Sequence, residues 1–352
     1  MDKIDLRPYM DDIENRIDPD FETELIAKWK EYSDGKNTDS PFEPPRRTPK
    51  KSKLNWQHMH INDALLDETR MAYSQLEFMN AYLSTASKAP LNVRPNYGCS
   101  VIPYFFGAEM YVMPRDMECL PNARRAFTRD EIDKILEVPL PSFDCGIGPQ
   151  IAAVEDVFAK MRRDYPKMGQ FVYSDSPDLQ GPMDNLEIMW GSDVFYAVYD
   201  EPEAVHALLN KITDFYIAYY EHWMKLAPNK EGYFVYRDRM CKGQVFLRDD
   251  SAMNLSPDFY MEFVYPYDAR ILKHFGGGGI HFCGRGHHFV PLMAKTPHLT
   301  QINMSQPEMN DMSKIFTATL DMGLNLTTTS GLMPKEPMQG KHDFSRLCFL
   351  NI

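Results

Sequence analysis

Apolar and polar positions follow two rhythms along this chain. From Phe21 to Tyr32, and again over roughly Asp63 to Lys88, apolar residues recur at three- and four-residue intervals, the spacing of one helix face. Past residue 90 the rhythm changes to short apolar runs that end in polar or glycine-rich turns. Leu91 to Tyr97, Gln170 to Ser174, Gly232 to Tyr236, Gln244 to Leu247, Gly279 to Cys283, Leu299 to Met304 and Leu324 to Thr328 are the predicted strands. Helical stretches separate them, among them Pro202 to Leu226, Asp258 to Phe275 and Asn310 to Met322. Ser256-Pro257 supplies an N-cap followed by a first-turn proline. Alternating strands and helices predict an α/β fold with a mostly parallel sheet, and the number of repeats predicts closure into a TIM (β/α)8 barrel. Ser33 to Lys53 is rich in Pro, Gly, Lys and Arg. The chain therefore divides into an N-terminal helical extension, 1–90, with a linker near 33–53, and a β/α barrel over 91–352.

In such a barrel the chemistry sits where strands end and loops begin. Here the strand ends carry Asn96-Tyr97-Gly98, Asp175-Ser176-Pro177-Asp178, Arg248-Asp249-Asp250, His281-Phe282-Cys283 and Asn303-Met304-Ser305-Gln306. Any one of these is explained by a cap or a turn, but five together point to a shared polar site. Gly276-Gly277-Gly278-Gly279-Ile280-His281-Phe282-Cys283-Gly284 is the most informative run. If Ile280 to Cys283 ends a strand, period-two geometry sends His281 and Cys283 to one face, where a single borderline-soft ion such as zinc accepts the nitrogen and the sulfur. The same parity lets only one of Asp249 and Asp250 look inward, as base, orienting group or further metal ligand, and leaves the other to cap or pair at the surface. Asp175 is a candidate for the site, Arg285 for binding a substrate carboxylate or phosphate, and Tyr97, Tyr173 and Met304 for the pocket wall. His287-His288 reads as an exposed helix start.

Composition narrows the function. Thirty-eight basic against fifty acidic residues leave a net charge of −12, which excludes an electrostatic affinity for nucleic acid or an anionic membrane. No run approaches a membrane-spanning length, and Met1 to Asp5 lacks the apolar core of a signal peptide. Six cysteines without a repeating interval argue against a disulfide framework and for a reducing, cytoplasmic setting.

The ordered set Asp175…Gln180-Gly181-Pro182, Asp200-Glu201-Pro202-Glu203-Ala204-Val205, Phe246-Leu247-Arg248-Asp249-Asp250, Leu255-Ser256-Pro257, Tyr265-Pro266-Tyr267 and His281-Phe282-Cys283-Gly284 resembles the uroporphyrinogen decarboxylase superfamily, over about Leu91 to Gly331. The resemblance implies a distorted TIM barrel, commonly dimeric, with its site at the C-terminal strand ends. Of that superfamily's two chemistries, the decarboxylase marks are missing. Pro45-Arg46-Arg47 lies in the linker, Ile188 and Met189 stand where a substrate tyrosine is expected, and Asp250 replaces a serine, where it would repel a polycarboxylate. The other branch moves methyl groups between a corrinoid protein and a thiol or folate, and its zinc-dependent members hold the metal with a His-x-Cys pair and a later cysteine. His281 and Cys283 match the pair. Ser330-Gly331-Leu332-Met333-Pro334-Lys335-Glu336-Pro337 resembles the stretch after the third ligand with serine in the cysteine's place, which leaves Cys348 as the alternative. The sequence thus implies a methyltransferase or demethylase with a zinc site, a small-molecule methyl donor or acceptor and a corrinoid partner. A porphyrinogen decarboxylase and a non-catalytic ligand-binding barrel are the alternatives.

Overall fold

The structure is a computed structural model that describes residues 3–329, 331, 333–339 and 341–350. Apart from a short antiparallel pair, Met110–Tyr111 with Asn122–Ala123, its strands are β1 (Asn92–Val93), β2 (Tyr173–Ser174), β3 (Tyr233–Tyr236), β4 (Arg239–Lys242), β5 (Val245–Arg248), β6 (Gly278–Phe282), β7 (Leu299–Met304), β8 (Asn325–Thr329) and β9 (Leu347–Leu350). The last five form one parallel sheet in the order β9-β8-β7-β6-β5. β1 pairs in parallel with β2, and β3 with β4 as an antiparallel hairpin. Closure into a barrel was expected. Among the described residues the ladder is instead interrupted, because β1 and β2 hold only two residues each and the β3–β4 hairpin stands between β2 and the main sheet in chain order.

Most predicted elements form, for the reasons their sequences give. The helix Pro202–Leu226 starts on a proline, whose missing N–H costs nothing in a first turn, and buries Val205, Leu208, Leu209, Ile212, Phe215, Tyr216, Tyr219, Tyr220 and Trp223 along one face. The predicted helix from Asp258 to Phe275 is two helices, Pro257–Phe263 and Tyr265–Phe275. Pro266 has no N–H to give and its ring collides with the preceding turn, so the chain breaks at Val264. Ser256 caps the first of the pair, its Oγ accepting the Phe259 N–H at 3.3 Å. Gly276 ends the second in the left-handed region at φ 73°, a conformation a side chain would resist. β6 is buried along its whole length, as a parallel strand covered on both faces must be.

The N-terminal segment is built into the sheet's opposite end. The Tyr32 hydroxyl donates to Leu326 O at 2.9 Å and the Asn325 amide donates to Tyr32 O at 2.9 Å, which holds the helix Pro19–Ser33 against the start of β8. Trp29, Tyr32 and Phe42 are fully buried, and Phe42 bridges β9 at Cys348. The stretch read as a linker has no helix or strand of its own, yet Arg47 within it is buried against Glu22 in a two-pronged ion pair, at 2.7 and 2.6 Å. A buried pair of this geometry fixes the strap in place. All six cysteines are free, in keeping with their irregular spacing. No helix among the described residues is long and apolar enough to cross a membrane.

Candidate metal centre at the ends of β5, β6 and β7

Strand parity assembles the site. Parallel register sets Arg248, His281, Asn303, Thr327 and Cys348 in one row across the sheet. Residues two apart share a face. His281 and Cys283 therefore line, together with Arg248, Asn303 and Ser305, one cavity of about 900 Å³. Ile280, Phe282 and Met304 alternate with them and join the main apolar core. The glycines before His281 make room: a Cβ on Gly279 would sit 2.3 Å from the Phe246 ring, which stacks on Tyr236 at 4.3 Å.

Asp250, on the loop after β5, completes the constellation. His281 Nε2 lies 3.2 Å from Cys283 Sγ and 3.5 Å from Asp250 Oδ1, and one ligand atom from each of the three residues falls within 4.8 Å of the others. Neighbouring bonds decide which ring nitrogen is free. The Asn303 amide nitrogen donates to Thr327 O at 2.9 Å and Thr327 Oγ1 at 3.0 Å, so Asn303 Oδ1 faces the imidazole and accepts from Nδ1 at 2.5 Å. The proton is thereby held on Nδ1, and the Nε2 lone pair points at Cys283 and Asp250. Burial pushes His281 down to about 4, with Asp250 only partly opposing, so the ring is neutral at physiological pH. Burial, reinforced by Asp250, raises the Cys283 thiol. A neutral imidazole, a thiol and a carboxylate in this arrangement are a nitrogen, sulfur and oxygen set suited to zinc, which would draw the proton from Cys283 on binding.

Asp250 is held from several sides. Cys283 N–H donates to its Oδ1 at 2.7 Å and Arg248 Nη2 to its Oδ2 at 3.0 Å. Its backbone is anchored by Asp184, which accepts from Asp250 N at 3.0 Å and Ser251 N at 2.7 Å. Asp184 reaches this position because the Gly181-Pro182 turn packs directly on the strand end. Gly181 N donates to Arg248 O at 2.7 Å, and a Cβ there would lie 2.5 Å from both Arg248 O and Asp249 Oδ1. In the sequence only its closeness to that turn distinguishes Asp184.

The other candidates fall elsewhere. Of Asp249 and Asp250, both candidates for the site, the outward one was expected to cap or pair at the surface; it is Asp249, which is instead fully buried on the outer face of β5, turned toward Asp268 of the helix Tyr265–Phe275. Asp175 is buried and accepts from Arg237 N at 3.0 Å, and burial, against the pull of Arg94, pushes it up to about 6. Cys348 shares the row of His281 but stands three strands away, packed with Trp29, Tyr32 and Phe42, so it is absent from the ligand group. Ser330 lies outside the described residues. Tyr97 and Met304 belong to the main core and Tyr173 to the cluster of Cys348, so none of the three lines the cavity. Arg285 is exposed and likewise does not line it. Asn303, Ser305 and Arg248 take the places the sequence had given to these residues, and period-two parity from His281 was the signal that marked the first two.

The buried Asp249–Asp268 pair makes a prediction about pH. None of the four carboxyl oxygens has a hydrogen-bonding partner among the described residues. Burial pushes Asp268 up to about 7, whereas in the unfolded chain it ionises near 4. Between these values the folded protein keeps a proton the unfolded chain has lost, so stability falls as pH rises, by about 1.4 kcal/mol per unit per proton. Asp268→Asn is expected to flatten that slope and to make the protein more stable than wild type at pH 8. Urea unfolding at pH 5, 6, 7 and 8 measures it, and equal slopes in the two proteins would refute it.

No family model matches the sequence, and no curated protein matches it. A solved structure described as a methyltransferase from Methanosarcina mazei superposes with a TM-score of 0.62 at 14% identity, covering 87% of this chain and 82% of that one; at that identity the likeness is one of fold.

Proposed function

We propose that this protein is a zinc-dependent methyltransferase or demethylase in which His281, Cys283 and Asp250 hold the metal. The observation that carries the reading is the triad itself. Three different donor atoms converge at the C-terminal end of a parallel sheet, and two of their residues, His281 and Cys283, line a cavity large enough for a small molecule. The name of the fold neighbour, a methyltransferase, and the resemblance of the strand-end motifs to the uroporphyrinogen decarboxylase superfamily support it, and the resemblance makes a corrinoid protein the expected partner. Bound zinc would supply the means to ionise a thiol acceptor at neutral pH. The chain's own residues do the rest. Asn303 keeps the Nε2 lone pair directed at the site, Asp184 and Arg248 hold Asp250, and the cavity admits the thiol beside Cys283. In the transfer the thiol loses its proton to solvent and a carbon–sulfur bond forms. The donor's bond to the methyl carbon breaks and leaves its electron pair on the donor.

A decarboxylase would need free arginines for substrate carboxylates near the N-terminus. Arg46 and Arg47 are instead paired with Glu43 and Glu22. Demethylation of methylcobalamin by zinc-loaded protein in the presence of simple thiols tests the proposal. Turnover is expected in wild type and absent from a His281→Ala, Cys283→Ala double variant; indistinguishable rates would overturn it. Asn303→Leu, which frees the ring to turn, is expected to weaken zinc binding about ten- to a hundredfold in a chelator competition. An unchanged affinity would remove Asn303 from the site.

A further inference from the structure

The cavity beside His281 has a cationic wall inside an acidic protein. Lys88, Arg237, Arg239 and Arg248 line it against the single carboxylate of Asp238, in a chain of net charge −12. Carboxylates pair with these cations, Asp250 with Arg248 at 3.0 Å among them, but leave Arg239 Nη1 and Arg248 Nε without a partner among the described residues. Arg248 and Arg237 meet the same Asp178 oxygen at 2.6 and 3.1 Å, and Arg94 approaches it at 4.0 Å. Arg239 spends Nε and Nη2 on one oxygen of its neighbour Asp238, at 2.9 and 2.6 Å, and its Nη1 has no partner although the residue is only 6% exposed. Lys88, equally buried, shares Glu43 with Arg46. A buried donor left without a partner is unfavourable, and an incoming acceptor relieves it. Tyr236 adds an aromatic side chain to the lining of the same cavity. The Tyr236 ring has Arg239 and Arg237 at 5.5 and 5.7 Å from its centroid and stacks on Phe246.

We propose that this cavity binds a small organic oxyanion, a carboxylate or a phosphate, with its charged group against Arg239 and Lys88 and its body along Tyr236. The anion subsite stands on its own geometry. That the opposite end of the ligand reacts beside Cys283 rests on the function proposed above. The oxyanion supplies an acceptor to the unpartnered guanidinium nitrogen. Arg239 and Lys88 then select for charge, and the aromatic pair for a flat body.

Titration calorimetry on the metal-free protein, with benzoate, phenyl phosphate and neutral benzyl alcohol as probes, tests the subsite. At least one of the two anions is expected to bind saturably, the tighter identifying the natural group, while benzyl alcohol does not. Arg239→Gln and Lys88→Gln are each expected to weaken the anion by about tenfold or more, and Lys225→Gln, exposed on a distant helix, to leave it unchanged. Should Arg239→Gln fail to fold, Lys88→Gln decides. Binding of neither anion, equal binding of benzyl alcohol, or wild-type affinity in the folded variants would overturn the proposal. Because binding is read without metal, and is expected to persist in the His281→Ala, Cys283→Ala protein, failure of the zinc reading and failure of the subsite are separate results.

Discussion

Asp250→Ala is expected to lower zinc affinity by more than about a hundredfold, beyond the effect of losing an outer partner, while Cys348→Ala leaves zinc affinity unchanged. The contrast follows from where the two residues stand. Asp250 Oδ1 lies 3.5 Å from His281 Nε2 and accepts the Cys283 N–H, so it already touches both other ligands. Cys348 is fully buried three strands along the sheet, and burial pushes its thiol up to about 12, with no metal-ligating neighbour in the ligand group. Moving its sulfur to His281 would require the row from Asn303 to Thr327 to give way. Chelator competition with each purified variant measures the difference. Loss of zinc in Cys348→Ala with retention in Asp250→Ala would reverse the assignment of the third ligand.

Gly278→Ala is expected to destabilise the fold by about 3 kcal/mol or more, at or beyond the upper range of ordinary overpacking. The added Cβ would fall 1.9 Å from Val245 O and 2.9 Å from its carbonyl carbon. Those atoms belong to the backbone of β5, which pairs with β6 at this residue, so no side chain can swing aside. Relief requires the strands to part, and parting them moves Arg248 and Asp250 away from His281. Denaturant unfolding and zinc affinity should therefore fall together. A loss of stability below about 0.5 kcal/mol, within the usual range of surface changes, would contradict this account of the glycine run.

How much of this was legible in the sequence depended on the range of the interaction involved. Parity along one strand is local, and it placed His281 and Cys283 side by side on one face, as the structure has them. The same rule separated Asp249 from Asp250, but the fate of the outward residue depended on Asp268, a helix away, and could not be read from spacing. Met304 was offered for the pocket although it is out of step with Asn303 and Ser305, the residues in register with the His281 face; the pattern held that information unused. The resemblance pointed to a later cysteine as third ligand, while parity offered the inward one of Asp249 and Asp250 as a further ligand; the structure groups Asp250 with His281 and Cys283. Ile151, Val154, Phe158 and Met161 recur at helical spacing and form the helix Gly148–Asp164, a readable element that strand-counting passed over. The β3–β4 hairpin gave little warning, because its turn at Arg237 and Asp238 uses neither glycine nor asparagine, although Arg237 adopts φ 55°. That hairpin interrupts the expected barrel and also supplies Arg237 and Arg239 to the cavity.

The central claim is that His281, Cys283 and Asp250 form one metal site. Its most direct test is the zinc content of protein produced with zinc in the medium and dialysed without chelator. The account predicts close to one zinc per wild-type chain and almost none in a folded His281→Ala, Cys283→Ala double variant. A zinc-free wild type, or a double variant that holds as much zinc as wild type, would contradict it.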